Sequence, residues 1–174
     1  MDDLGRLVGE RVRAARRERG LSIAVLAEAA RIGKGSLSEI ENGVRNPTLS
    51  TLYALAGALE VPLAVLISDR SGVEVGAPGI EARLLDVSYA AQTVEVYRLR
   101  LEPGCRHSSP AHGSGVVEHL LVTAGRVRAG RLGEETEIGV GQAARWVSDV
   151  AHTYTVLGDV TAEAVLVIRS PAVH

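Results

Sequence analysis

Phenylalanine is absent from this 174-residue chain, and Trp and Tyr together supply five residues. Its cores must therefore be built from Leu, Val, Ile and Ala. Cysteine occurs once, at Cys105, which excludes an intrachain disulfide and leaves a lone thiol in a loop-like stretch beside Gly104. Lysine also occurs once, as Lys34; the other basic residues are all arginine. Long apolar runs are missing. The most apolar stretch, Leu52 to Ile67, is broken by Glu60 and Pro62, and a membrane-spanning helix needs about 20 apolar residues. The beginning, MDDLGRLVGERVR, is charged from residue 2 and lacks the apolar centre of a signal peptide. A cytoplasmic protein without a membrane partner is expected. Internal repeats and low-complexity tracts are absent as well.

Apolar residues make up 46% of the chain, enough for packed cores in one large domain or two small ones. The net charge of -2 conceals an asymmetry. Residues 6–45 carry nine Arg or Lys against five acids, whereas residues 71–174 carry nine Arg against twelve Asp or Glu. A basic end on a mildly acidic chain suits a polyanion contact confined to that end.

The hydrophobic period changes near residue 70. Before it, Leu4, Leu7, Val8, Val12 and Ala15 form a helical stripe that stops at Gly20. Ser22 caps a short helix to Ala29, and another runs from Lys34 to Asn42 before Gly43. Asn46-Pro47-Thr48 opens a fourth helix, with Leu52, Leu55, Ala56 and Leu59 on one face, and Pro62 opens a fifth carrying Leu63, Leu66 and Ile67. Residues 70–79, rich in Gly, Ser and Pro, read as a linker. Beyond it come short runs separated by glycine, among them ARLLDVSY, TVEVYRLRL, VVEHLLVT, RVRAG, ARWVS, HTYTVLG and AEAVLVIR. Short strands at close spacing predict an all-β sandwich or barrel. The predicted domains are thus 1–69, all-α, and 80–174, all-β.

Two short helices joined by Ala30-Arg31-Ile32-Gly33 have the layout of a helix-turn-helix, whose second helix enters the major groove of DNA. On a helical wheel Leu37, Ile40, Glu41 and Val44 share a face, while Gly35, Ser38, Glu39 and Asn42 point the other way. Lys34 and Ser36 sit at the leading end, which is small, polar and positive. Without further signal, a helical bundle used for protein contact fits the periodicity equally well. The strings GERVRAARRERGLS, SLSEIENG (Ser36–Gly43) and NPTLSTLYALAGAL decide between them. Residues 7–66 resemble the bacterial Xre/Cro/C1-type helix-turn-helix family. That resemblance implies that Lys34, Gly35, Ser36 and Glu39 approach bases, with Asn42 and nearby backbone toward phosphate. It also implies an ion pair between Arg16 and Glu41 that fixes the recognition helix. The family often has Gln where Ile23 stands, so any phosphate contact there must come from backbone.

Residues 80–170 resemble the cupin superfamily, a small antiparallel barrel or jelly roll. Gly104, Glu118 and Gly125 match its first motif, and Gly141-Gln142-Ala143, Trp146 and His152 its second. Metal-binding cupins need two or three imidazoles and a carboxylate facing one cavity. Glu118 and His152 supply two, but the usual His-x3-Glu spacing puts Ser114 where a third ligand belongs. His112 joins only if its loop bends inward between Gly113 and Gly115, and the expectation is that it does not. His107, His119 and His174 read as exposed or simply hydrogen-bonded, and Trp146 and Tyr154 as pocket wall.

Together the two resemblances imply a transcriptional regulator, a homodimer reading a palindromic operator in double-stranded DNA. The second domain is expected to bind a small effector or mediate dimerisation. No cofactor is expected; a divalent metal, if present, would sit at His112, Glu118 and His152. The alternative is an iron-dependent enzyme of the phosphonate-epoxidase type, which shares this domain order, and a third reading is a ligand-free dimerisation module.

Overall fold

The structure is a computed structural model that describes residues 3–67 and 74–171. The side chain of Leu4 and the whole of His174 lie outside the described residues. The chain divides into two units, 1–69 and 70–174.

In the first unit, α1 (Asp3–Glu18) buries Val8, Val12 and Ala15, whereas Leu7 of the same predicted stripe is 38% exposed at its margin. Gly9 is required by close approach, since a Cβ there would stand 2.2 Å from the Ile40 carbonyl oxygen. α2 (Ile23–Ala29) is capped by the Ser22 hydroxyl, which accepts the Val25 N–H at 3.2 Å. α3 (Lys34–Glu41) follows a turn at Ala30–Gly33 in which Arg31 adopts φ 53°. α4 (Leu49–Ala58) is capped in the same manner by Thr48, and α5 (Leu63–Ile67) follows Pro62. Leu26, Leu37, Ile40, Leu55, Leu59 and Leu66 are almost wholly buried, each contributing about 1.5–3 kcal/mol on leaving water. Val44 departs from its predicted face and is 72% exposed. The helix ends at Glu41 and the chain turns at Gly43, so the wheel does not extend that far.

Among its described residues the second unit holds ten antiparallel strands: β1 (Glu74–Ala77), β2 (Ile80–Tyr89), β3 (Gln92–Leu101), β4 (Arg106–Ser109), β5 (Val117–Ala124), β6 (Arg126–Arg131), β7 (Thr136–Gly139), β8 (Ala143–Val147), β9 (His152–Val156) and β10 (Ala162–Pro171). They form a six-stranded sheet, β1-β2-β3-β10-β5-β8, and a four-stranded sheet, β4-β9-β6-β7. The domain is therefore a two-sheet jelly roll of cupin-like form, not one closed barrel. Strands β4 and β7 arise from short polar segments without a hydrophobic signal. β1 corrects the linker expected over 70–79, because Glu74–Ala77 pair with Ile80–Arg83 as a hairpin. Alternation sends Tyr97, Leu99, Leu120, Val122, Leu166 and Ile168 into the core.

Candidate functional site

The first site is built around α3. Lys34, Gly35, Glu39 and Asn42 are exposed, and Ser36 and Ser38 half-buried. The buried side of the helix is locked by Arg16. Its Nε and Nη2 donate to the two Glu41 carboxylate oxygens at 2.6 and 2.9 Å, and its Nη1 donates to the Leu21 carbonyl at 2.8 Å. The Glu41 hydrogen bond raises the Arg16 pKa further above its already high value. A planar guanidinium matched to a carboxylate in this forked way constrains orientation as well as distance.

Two side chains at this surface make contacts that the sequence pattern does not indicate. The Asn42 amide N–H₂ donates to the Ser38 carbonyl at 2.8 Å, and its oxygen accepts from Arg13 at 2.5 Å. Asn42 thus ties α3 to α1. Arg45 lies beyond the helical pattern, yet the reversal at Gly43 returns it to α3. There its Nη1 lies 3.2 Å from the Ser36 hydroxyl and 3.6 Å from a Glu39 carboxylate oxygen. Only the turn geometry places it, so periodicity gave no signal. Together with Lys34 it makes the exposed face cationic.

The second site lies inside the jelly roll. Glu118 on β5 is fully buried, cross-strand from Trp146 on β8. His152 on β9 presents Nε2 at 3.1 Å from Glu118 Oε1, and its Nδ1 lies 3.2 Å from the Val150 carbonyl oxygen. A proton on Nδ1 donated to that carbonyl leaves Nε2 turned toward the carboxylate. Tyr154, two residues along the same face, donates its hydroxyl to Glu118 Oε2.

His112 corrects the expectation drawn from its register. It is buried, with Nδ1 2.8 Å from Glu118 Oε1. The physical reason is the loop. Gly113 and Gly115 adopt φ 121° and 76°, conformations that other residues resist, and these absorb the residues in excess of the usual spacing. The His112 N–H donates to the Ser148 carbonyl at 2.8 Å, which anchors the bend to the end of β8. Ser114 faces solvent.

His107 is a second correction. Its place on β4, opposite Tyr154, turns it inward; it is buried, and its Nε2 has no hydrogen-bond partner among the described residues. Burial, then the nearby His152 and His112, push its pKa down. His119 occupies the other face of β5, half-buried and cross-strand from Arg145. Cys105 is buried and burial raises its thiol pKa, which keeps it protonated and unreactive.

Burial alone would push the Glu118 carboxyl up, but His112 and His152 outweigh it and hold the group well below the usual carboxylate range. Burial pushes His112 down despite Glu118, while for His152 the carboxylate and the Val150 carbonyl overcome burial and raise it. One ligand atom from each of His112, Glu118 and His152 lies within 4.8 Å of the other two. Glu118 Oε1 and His152 Nε2 are buried and close without making a hydrogen bond to each other. Two imidazoles and one carboxylate converging in this way fit a divalent transition metal.

The helix-turn-helix family HTH_3 matches residues 12–66. Over 98% of its length the chain is 30% identical to the HTH-type transcriptional regulator SutR of Escherichia coli (strain K12), covering 99% of that protein. It is 41% identical to the immunity repressor protein of Bacillus phage phi105 over 37% of this chain and 44% of that one. A solved HTH_3 family transcriptional regulator from Vibrio cholerae, 22% identical, has the same fold, with a TM-score of 0.85 covering 97% of each chain. Among the described residues no helix is long and apolar enough to cross a membrane. Matched from end to end by such a relative, the chain belongs to the family of HTH-type transcriptional regulators, with a cupin-like domain following its helix-turn-helix.

Proposed function

We propose that this protein is a sequence-specific DNA-binding regulator of the cytoplasm, acting as a homodimer on a palindromic operator. The observation that carries the reading is the exposed, cationic face of α3, held from behind by the buried Arg16–Glu41 pair. Lys34 and Arg45 contribute phosphate attraction, while Ser36 and Glu39 offer base-edge partners. Fluorescence anisotropy with labelled DNA from the protein's own promoter region tests it. Specific binding should exceed binding to scrambled DNA of equal length, and equal affinity for both sinks the proposal.

In the second domain we assign a small effector rather than a catalysed reaction. The convergence of His112, Glu118 and His152 favours a divalent metal there, in place of the metal-free site expected from register. Such a metal would polarise a bound ligand as a Lewis acid. The same triad keeps a metal-dependent enzyme as the second reading. Metal analysis of untagged protein, paired with promoter binding in the presence and absence of chelator, separates the two. A regulator changes its DNA affinity on chelation, whereas an enzyme carrying an independent DNA-binding head does not.

A further inference from the structure

A cavity of about 270 Å³ opens between β6 and β7 of the four-stranded sheet and β8, the free edge of the six-stranded one. Small residues make the space: Ala129 and Gly130 on one side and Ala144 on the other. Its charged lining is Arg131, Glu134 and Arg145. Arg145 is exposed and has no ion-pair partner among the described residues, while Arg131 reaches Asp149 only at 3.4 Å. Trp146 forms the inner wall, and its ring centroid stands 6.0 Å from that of His152 and 5.8 Å from that of Tyr154. Trp146 is 6% exposed, and its indole N–H, which can only donate, has no partner among the described residues.

We infer that this cavity binds a small oxyanion of metabolite size, and that Trp146 couples its occupancy to the histidine cluster behind. The inference rests on the effector reading above and names the ligand class and its place. Arginine guanidinium groups recognise carboxylate, sulfate and phosphate through paired N–H donors, and the lining offers two of them against one carboxylate. The volume admits a ligand of a few heavy atoms, below the usual range of about 300–1,000 Å³ for drug-sized pockets. Closing the gap between the sheets with a bound anion would tie β8, which faces Glu118, to β6, which pairs with the His152 strand.

Trp146 is the only tryptophan of the chain, so its emission reports the site directly. Full-length protein is titrated with acetate, succinate, sulfate and phosphate at constant ionic strength. At least one of these is expected to give a saturable change, weakened tenfold or more in Arg145→Ala and in Arg131→Ala. Arg98→Ala, exposed on β3, should titrate as the unaltered protein does. The carboxylate and inorganic arms show which oxyanion is preferred. A response to succinamide as strong as to succinate overturns the inference, as does a response unchanged in both arginine variants. So does silence from all four anions in protein that is folded by circular dichroism and still binds promoter DNA; that result leaves the DNA-binding reading intact. An arginine-dependent response in protein that fails to bind promoter DNA supports the cavity assignment and counts against the regulator alone.

Discussion

The two candidate sites contain a buried carboxylate each, and the contrast between them is instructive. Glu41 meets only guanidinium groups, Arg16 filling both of its oxygens and Arg13 standing 3.5 Å from one of them, and the result is a rigid prop behind an exposed helix. Glu118 meets a tyrosine and two imidazoles, partners that can exchange a proton for a metal. The first arrangement is closed and structural. The second leaves ligand atoms turned toward one another, and on that arrangement the proposed metal site rests.

Breaking the first carboxylate should have the largest effect. Glu41→Ala strands the Arg16 charge in a buried setting, and losing one member of such a pair costs about 3–5 kcal/mol. Thermal unfolding followed by circular dichroism should show a markedly lowered transition; an unaltered melting curve would refute the structural role. The matching change in the other site is His152→Ala. Protein as purified should carry zinc, nickel or iron at close to one equivalent per chain, and this variant should carry almost none. Ser114→Ala, by contrast, should retain the full complement, since Ser114 faces solvent.

The DNA surface comes next in magnitude. Lys34→Glu removes a cation from the phosphate field and adds an anion, so specific and non-specific affinity should fall together. The slope of log K against log salt should become shallower by about 1–2. Normal operator binding at moderate salt would mean that α3 is not the recognition helix. Gly113→Ala sharpens the comparison from the side of the loop. A side chain at φ 121° strains the bend by about 1–3 kcal/mol, which should weaken metal retention and shift the affinity for DNA in the same direction as chelation does. Glu39→Ala has the smallest expected consequence, a relaxed preference at one base pair worth about 1–3 kcal/mol of discrimination. Selection from a randomised operator pool would reveal it as one degenerate position.

The helical domain was largely readable along the chain because its site is local. Lys34 to Asn42 is one helix, and period, caps and the Ser36–Gly43 string all bear on the same few turns. Arg45 escaped that reading because it lies beyond Gly43, where helical periodicity ends and a turn takes over. In the β domain, the motif resemblance put Glu118 in the pocket, and alternation sends its neighbour His119 to the other face of the strand. Neither was sufficient for His112, since spacing along a chain measures distance only when the backbone is regular. Two glycines with positive φ broke that regularity and brought His112 to Glu118. The inward place of His107 is hidden from the sequence for a related reason: β4 is four residues long, too short to display a period, and its inward face is set by pairing with β9.

Amphipathic helices, their caps, the change of period near residue 70 and the alternation of the longer strands follow from the order of residues alone. They depend on contacts between near neighbours, whose geometry the backbone imposes. The union of His112, Glu118 and His152, the return of Arg45 to α3, the β1 hairpin and the cavity between β6 and β8 were settled only by the tertiary structure. Each joins segments whose separation in space depends on loop conformation and sheet pairing, and those are decided by the packing of the whole domain.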